Sequence, residues 1–317
     1  QKMQKNNFHG YDLIYASQHV VFDTRVPWIT DFEFANALAA YGNISMIKNI
    51  IQKQLESTKC KSIMPWSEWS KETLVRSIDC SNLKEKIRVV RYTVNPKTFV
   101  KKPHENVNFL FVGSNNKMNV QNIQFKNLRE VIIAFDNISK KYDKIHLTIR
   151  SYLPDDLKEI ASKNPEIEII DYFLTKEELF ERYSNSDVFV LPSHETCGIS
   201  LLDAMSFELP VIAMNIYDMP EVITHMKNGI LLEGHKNMKY YTRSMMPYDY
   251  SWQFTKGMKK YSEHIVKQLE FYFSKLIEDS SLRSNLGKEA RQTIESGKLS
   301  IKKRNDALLS VFEEATK

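Results

Sequence analysis

The stretch "VFVLPSHETCGISLLDAMSFELPVIA", residues 188–213, decides how this chain folds. Its apolar ends, 188–191 and 210–213, read as buried strands, with a short polar loop and then a helix between them. Strand, helix and second buried strand form the repeating unit of a parallel sheet. The loop PSHETCG then lies at the carboxyl end of a strand, where doubly wound sheets bind their ligands. Glu195 stands in that loop, and Asp203 follows eight positions later on the helix. Gly198 and the helix behind it offer backbone N–H groups suited to a phosphate. A carboxylate next to such a site accepts hydrogen bonds from sugar hydroxyls. Two acids flanking it therefore suggest two sugars, a ribose and a transferred hexose. A second reading stays open on the residues alone: Glu195 serves the helix dipole and Asp203 is a solvated helix position.

Outward from this block the same alternation continues. NFLFVGS (108–114), KIHLTIRS (144–151), IEIIDYF (167–173) and GILLEG (229–234) read as strands. Residues 126–142, 153–164 and 175–186 read as helices, the last opened by Thr175 with Glu178 three positions on. The result is a six-strand doubly wound unit with a helical tail over 255–277, 280–297 and 301–316. Upstream, 11–17, 60–67 and 87–93 read as strands, and 44–58 and 67–77 as helices, the second capped at Ser67. Residues 27–42 start extended, turn helical and stop at Gly42. The segment 94–107 carries prolines and charges without periodicity, which suits a linker. The expected organisation is a first domain over 1–98, a second over 99–298, and a closing helix over 299–317 that packs back on the first domain.

Composition narrows the function. The 317 residues are 42% hydrophobic and 26% charged, which is globular rather than disordered. A net charge of +5 is too diffuse for a nucleic-acid surface but compatible with phosphorylated ligands. Three cysteines at unrelated spacings give neither a disulfide framework nor a metal knuckle, which favours a reducing compartment. No apolar run reaches the ~20 residues of a membrane span. The expected location is cytoplasmic, with a peripheral membrane contact left open by the basic stretches 256–268 and 298–304.

With these residues in place, the block 191–233 resembles the donor site of the retaining GT-B glycosyltransferases of family 4 type, the glycosyltransferase group 1 enzymes. That pattern runs P-S-x-x-E, a small-residue turn, E-A-M-A, G-x-P-V-I-A, P-E-V-I and N-G-x-L. Pro192, Ser193, Glu195, Gly198, Ala204, Met205, Pro210, Pro220, Glu221, Asn228 and Gly229 match it. FLFVGSNN followed by FKNLREVIIAF, the stretch 174–193, and the closing 298–315 are also similar to the family, in the same order. The resemblance implies an α/β protein of two Rossmann-like domains facing across a cleft, the N-terminal one reduced. It implies a retaining transfer of sugar from a nucleotide-diphosphate sugar to a hydroxyl acceptor, a glycan or a lipid-linked glycan, with no cofactor, metal or nucleic acid. By the same resemblance Glu195 contacts the donor sugar, Lys126 neutralises the leaving diphosphate and Asp203 holds the ribose. Cys197, Gly198, Ile199 and Ser200 turn backbone N–H groups to the phosphates, Gly113 and Ser114 border them, and Tyr172 falls where the base is held.

The departures are specific. Asp203 is one methylene shorter than the family's glutamate, and the family's K-G is Lys126-Asn127. The arginine after the first strand of the second domain is missing, since Gly113 is followed by Ser114, which leaves the phosphate charge to Lys126 or Lys117. The chain opens on Gln1 and lacks the family's first strand and glycine-rich loop, so the acceptor domain is expected to be truncated or naturally short. In that domain His19 and Asp31 stand at strand ends as acceptor-side candidates; the alternative is a loop histidine and a solvated acid. Of Trp28, Trp66 and Trp69, at least two are expected to be packing residues. Rival functions on the same fold are a nucleotide-sugar epimerase or phosphorylase, or a non-catalytic binding module.

Overall fold

The computed structural model describes residues 10–101, 104–114, 116, 123–196, 198–234 and 260–317. The chain divides into two units: the residues up to Thr93 together with Ile301–Lys317, and Val94–Ser300.

The first unit holds a parallel three-stranded sheet in the order β1 (Ile14–Ser17), β2 (Trp28–Phe32), β3 (Cys60–Pro65). Helices α1 (Ile44–Glu56) and α2 (Glu68–Ser77) accompany it. Ser67 caps α2 by accepting from Ser70 N at 2.9 Å. All five residues of β2 are buried. The segment expected to begin extended and continue as a helix is thus a strand followed by a short 3-10 turn at Ala35–Ala39. The expected strand at 87–93 is corrected. It forms an isolated bridge at Ile87, and Arg88 N and Val90 N donate to Ile63 O and Pro65 O at 3.0 and 3.1 Å. The return bond of a parallel ladder would come from the N–H of residue 65, and Pro65 has none.

The last helix of the chain, α10 (Ile301–Ala315), belongs to this unit. Its Leu308, Val311 and Ala315 pack on Ile29, Met64 and Val90. Arg88 Nη1 donates to Glu314 Oε1 at 2.8 Å, and Nη2 donates to the other carboxylate oxygen. Trp28 and Trp69 are buried packing residues, whereas Trp66 is half-buried beside Tyr92, with ring centroids 5.9 Å apart.

The second unit is a parallel six-stranded sheet in the order β6-β5-β4-β7-β8-β9. Its elements are β4 (Val107–Val112), α3 (Leu128–Ser139), β5 (Ile145–Arg150), α4 (Asp155–Ala161), β6 (Ile167–Ile170) and α5 (Lys176–Ser184). They continue with β7 (Val188–Val190), α6 (Ile199–Ser206), β8 (Val211–Met214), α7 (Met219–Val222), β9 (Ile230–Leu232), α8 (Glu263–Glu278) and α9 (Ser280–Glu295). Helices cover both faces, so the central strands are apolar throughout. On one face Phe109 of β4 meets Phe135 of α3 and Phe273 of α8, with centroids 5.9 and 4.8 Å apart. On the other, Tyr183 of α5 is stacked against Phe189 and Phe207 at 5.7 and 5.3 Å. Thr175 and Glu178 form the expected capping box at the start of α5. No helix among the described residues is long and apolar enough to cross a membrane.

Candidate functional site

The strand order reverses between β4 and β7, which makes their carboxyl ends the switch point of the sheet. The chain leaves β4 through Gly113 and Ser114. Gly113 N donates to Arg150 O at 2.8 Å, and a Cβ on Gly113 would stand 2.4 Å from Ser151 Oγ. Only glycine lets the ends of β4 and β5 approach this closely. Ser114 O then accepts from Tyr152 N at 2.9 Å, so the two strand exits are tied together.

The loop after β7 is stitched to the start of α3. Asn127 precedes α3 with φ 48° and ψ 34°, a left-handed conformation that asparagine tolerates better than most residues. That explains asparagine where the resembling family has glycine. Its Nδ2 donates to Pro192 O at 2.7 Å and lies 3.3 Å from His194 Nδ1, while His194 N donates to Phe125 O at 2.6 Å. These bonds bring the neighbouring Lys126 onto the loop, where its Nζ donates to Glu195 Oε2. Glu195 N in turn donates to Ser193 Oγ at 3.1 Å. The ion pair is largely buried, with 14% and 21% of the two side chains exposed, so solvent screens it weakly.

One cavity is lined by Lys126, Ser193, Glu195, Gly198, Ile199 and Ser200, among others. Gly198 is the N-cap of α6, no side chain among the described residues caps that helix, and its first turn carries no acid. The cavity therefore joins an ammonium, a carboxylate and an uncapped helix N-terminus, a set able to hold an anion and hydroxyl groups together.

The other candidates are placed differently. Asp203 lies on α6 but does not line this cavity. Lys97 Nζ stands 3.2 Å from its Oδ1, within ion-pair range but off good hydrogen-bonding geometry. Burial pushes the Asp203 carboxyl above the usual range, and Lys97 opposes that shift. Tyr172 follows β6 and is 58% exposed. Cys197 and Lys117 lie outside the described residues. In the first unit the His19 side chain is exposed, while Asp31 is buried at the end of β2 and accepts from the Tyr15 hydroxyl at 2.5 Å.

Sequence reasoning missed Arg150. It ends β5 half-buried, with Nη1 donating to Gly113 O at 3.1 Å and a buried Nε that has no hydrogen-bond partner among the described residues. Burial pushes its guanidinium below its ordinary pKa, and no carboxylate among the described residues pairs with it. The signal was an arginine closing the strand IHLTIR at the ligand-binding edge of the sheet. No group of three or more His, Cys, Asp or Glu among the described residues is arranged to hold a metal.

Two Rossmann-like α/β units with parallel sheets, the second in doubly wound order, define the GT-B fold of solved glycosyltransferases. Residues 106–242, which begin and end inside the second unit, match the glycosyl transferases group 1 family. S. aureus TarM is similar in fold, at a TM-score of 0.61 and 16% identity over 90% of this chain and 51% of TarM. HepE of Anabaena is similar at a TM-score of 0.64 and 12% identity, over 96% of this chain and 78% of HepE. The sulfoquinovosyl transferase of Arabidopsis thaliana is 42% identical over 57 residues, 18% of this chain and 11% of that protein. The chain thus spans about half of TarM and aligns with a small part of the plant enzyme.

Proposed function

We propose that this protein is a retaining glycosyltransferase that takes a sugar from a nucleoside-diphosphate sugar and passes it to a hydroxyl of a glycan or lipid-linked glycan. The observation that carries the reading is the meeting of Lys126 and Glu195 beside the uncapped N-terminus of α6, at the switch point of the sheet. HepE has been solved with UDP and glucose, and TarM with UDP among its ligands, which supports a nucleotide-sugar donor.

In this reading the diphosphate settles on the α6 N-terminus and draws Lys126 away from Glu195. The released carboxylate accepts hydrogen bonds from the donor sugar. As the bond from the anomeric carbon to phosphate breaks, charge grows on the departing oxygen, where Lys126 and the α6 amides stabilise it. The acceptor hydroxyl attacks the same face and gives its proton to that phosphate oxygen. No metal takes part, because lysine and backbone dipoles carry the charge. Asp203 holds the ribose, within the reach left by its pairing to Lys97.

A thermal-shift screen over UDP-, GDP- and ADP-sugars tests this, since binding to the folded state raises the midpoint by mass action. The expected result is a rise with one nucleotide series, and release of that nucleoside diphosphate when an acceptor is added. Binding without transfer to any acceptor would leave a binding module instead.

A further inference from the structure

A second pocket lies entirely within the first unit, at the carboxyl ends of β1, β2 and β3. Tyr15, Asp31, Trp66, Tyr92 and Arg304 line it over a floor of Met64, Val90 and Leu308. The floor is core: all three residues belong to the cluster in which α10 packs on the sheet. Arg304 sits four residues before Leu308, one helical turn away on the same face of α10. The pocket is therefore held by strands and a helix rather than by loops.

Its polar groups are unequal. Both carboxylate oxygens of Asp31 are engaged, Oδ2 by the Tyr15 hydroxyl at 2.5 Å and Oδ1 by Gln18 N at 3.3 Å. Asp31 thus fixes Tyr15 as a wall and forms no ion pair with Arg304. Arg304 is half-buried and close enough to Tyr15 to act on it electrostatically, yet it pairs with no carboxylate among the described residues. The pocket combines three aromatic side chains, a fixed hydrogen-bonding acid and one guanidinium that has no ion-pair partner among the described residues. Aromatic faces with a few converging polar groups suit a small ring. A guanidinium fork suits a carboxylate or phosphate on that ring.

We propose that this pocket binds the acceptor, and that the acceptor sugar carries a negatively charged group, a carboxylate or a phosphate, which Arg304 receives while the ring lies against Trp66 and Tyr92. The word acceptor rests on the glycosyltransferase reading; the preference for an acidic sugar does not.

The test is a ligand-observed NMR titration of the full chain with methyl glucuronide, glucose 6-phosphate and methyl glucoside. One or both acidic sugars should bind about tenfold more tightly than the neutral one, the worth of a charge-assisted contact. Which of them does so distinguishes carboxylate from phosphate. Arg304→Gln, at a half-buried position, should bring all three to the level of the glucoside, and Lys126→Ala should leave the preference intact. Trp66→Ala should weaken all three. Equal binding of the three sugars overturns the proposal. So does an acidic preference that survives Arg304→Gln or disappears in Lys126→Ala. A parallel nucleotide titration keeps the two readings apart: acidic-sugar binding without nucleotide binding sinks the donor reading and leaves this pocket standing.

Discussion

Lys126 donates to a carboxylate oxygen of Glu195, sixty-nine residues further along the chain, and the bond spans the two loops that leave the switch point of the second sheet. Each partner satisfies the other, so neither charge is left bare in a poorly hydrated place. In the proposed reaction a diphosphate would compete with Glu195 for the lysine, and a sugar hydroxyl would compete with the lysine for Glu195.

That exchange gives the first expectation. Lys126→Ala should lower turnover by ~10²–10³-fold, the usual cost of removing a group that stabilises developing charge, with a smaller change in donor binding. Lys126→Arg should recover part of the loss, because a planar fork does not reproduce a compact ammonium. Glu195→Ala should lower turnover by ~10²-fold, about 2.7 kcal/mol of barrier, while bare nucleoside diphosphate binds as before. Activity should survive EDTA. Steady-state kinetics with and without chelator checks all four; full activity in Lys126→Ala, or loss to EDTA with rescue by Mn²⁺, moves the charge stabilisation elsewhere.

Asn127 supports that pair from behind. Its left-handed backbone costs a residue with a Cβ roughly 1–2 kcal/mol, and its side chain ties Pro192 and His194 to the start of α3. Asn127→Gly keeps the backbone and loses the ties. Asn127→Ala loses both and should be less stable than the glycine variant by about 1 kcal/mol. Urea denaturation of the two variants measures the difference. Equal stabilities would mean that the left-handed turn carries no strain.

Much of this was legible from residues close together in the chain. The strands of the second unit are covered on both faces and stand out as apolar runs, and the Thr175–Glu178 box marks the start of α5. What escaped depends on distant partners. WITDF reads as extended from its own residues, but its threonine and acid give no sign of its complete burial as β2, which comes partly from α10, arriving from the far end of the chain. IRVVRYT has strand composition, but the proline it faces cannot complete a ladder. At the site, the loop containing Glu195 could be read from its own residues. The pairing of Asp203 with Lys97, and the uncompensated guanidinium of Arg150, appear only once three separated segments fold together.

The Lys97 contact makes the role of Asp203 decidable. If the carboxylate holds a ribose, Asp203→Ala should weaken nucleoside diphosphate and sugar nucleotide alike, by about tenfold or more, as for hydrogen bonds to a charged group. Lys97→Ala should lower the melting temperature, because it removes the nearest cation from a largely buried carboxylate. Asp203→Glu should be tolerated for binding. Isothermal titration decides between the roles: unchanged nucleotide affinity in Asp203→Ala would leave Asp203 with the single task of anchoring the segment that carries Lys97.

The contact between Arg88 and Glu314 fixes α10 to the first unit and should show itself in acid. Hydrogen bonds from Arg88, then from Ser310, hold the Glu314 carboxyl down at about 2. An unperturbed glutamate titrates near ~4.3. A carboxyl whose folded value is depressed adds stability that is fully present above the unfolded value and disappears as pH falls toward the folded one. The contribution should therefore be constant from neutrality down to about pH 5, shrink below about pH 4.3 and vanish near pH 2. Glu314 is exposed, so the effect should be small and sensitive to salt. Melting temperatures of the protein and of Arg88→Met, compared from pH 6 to pH 3, read it directly. The gap between the two should narrow as the pH drops, and 1 M salt should narrow it at every pH. A gap that stays constant across that range would assign the effect of Arg88→Met to lost packing of the arginine stem, with no share for its charge.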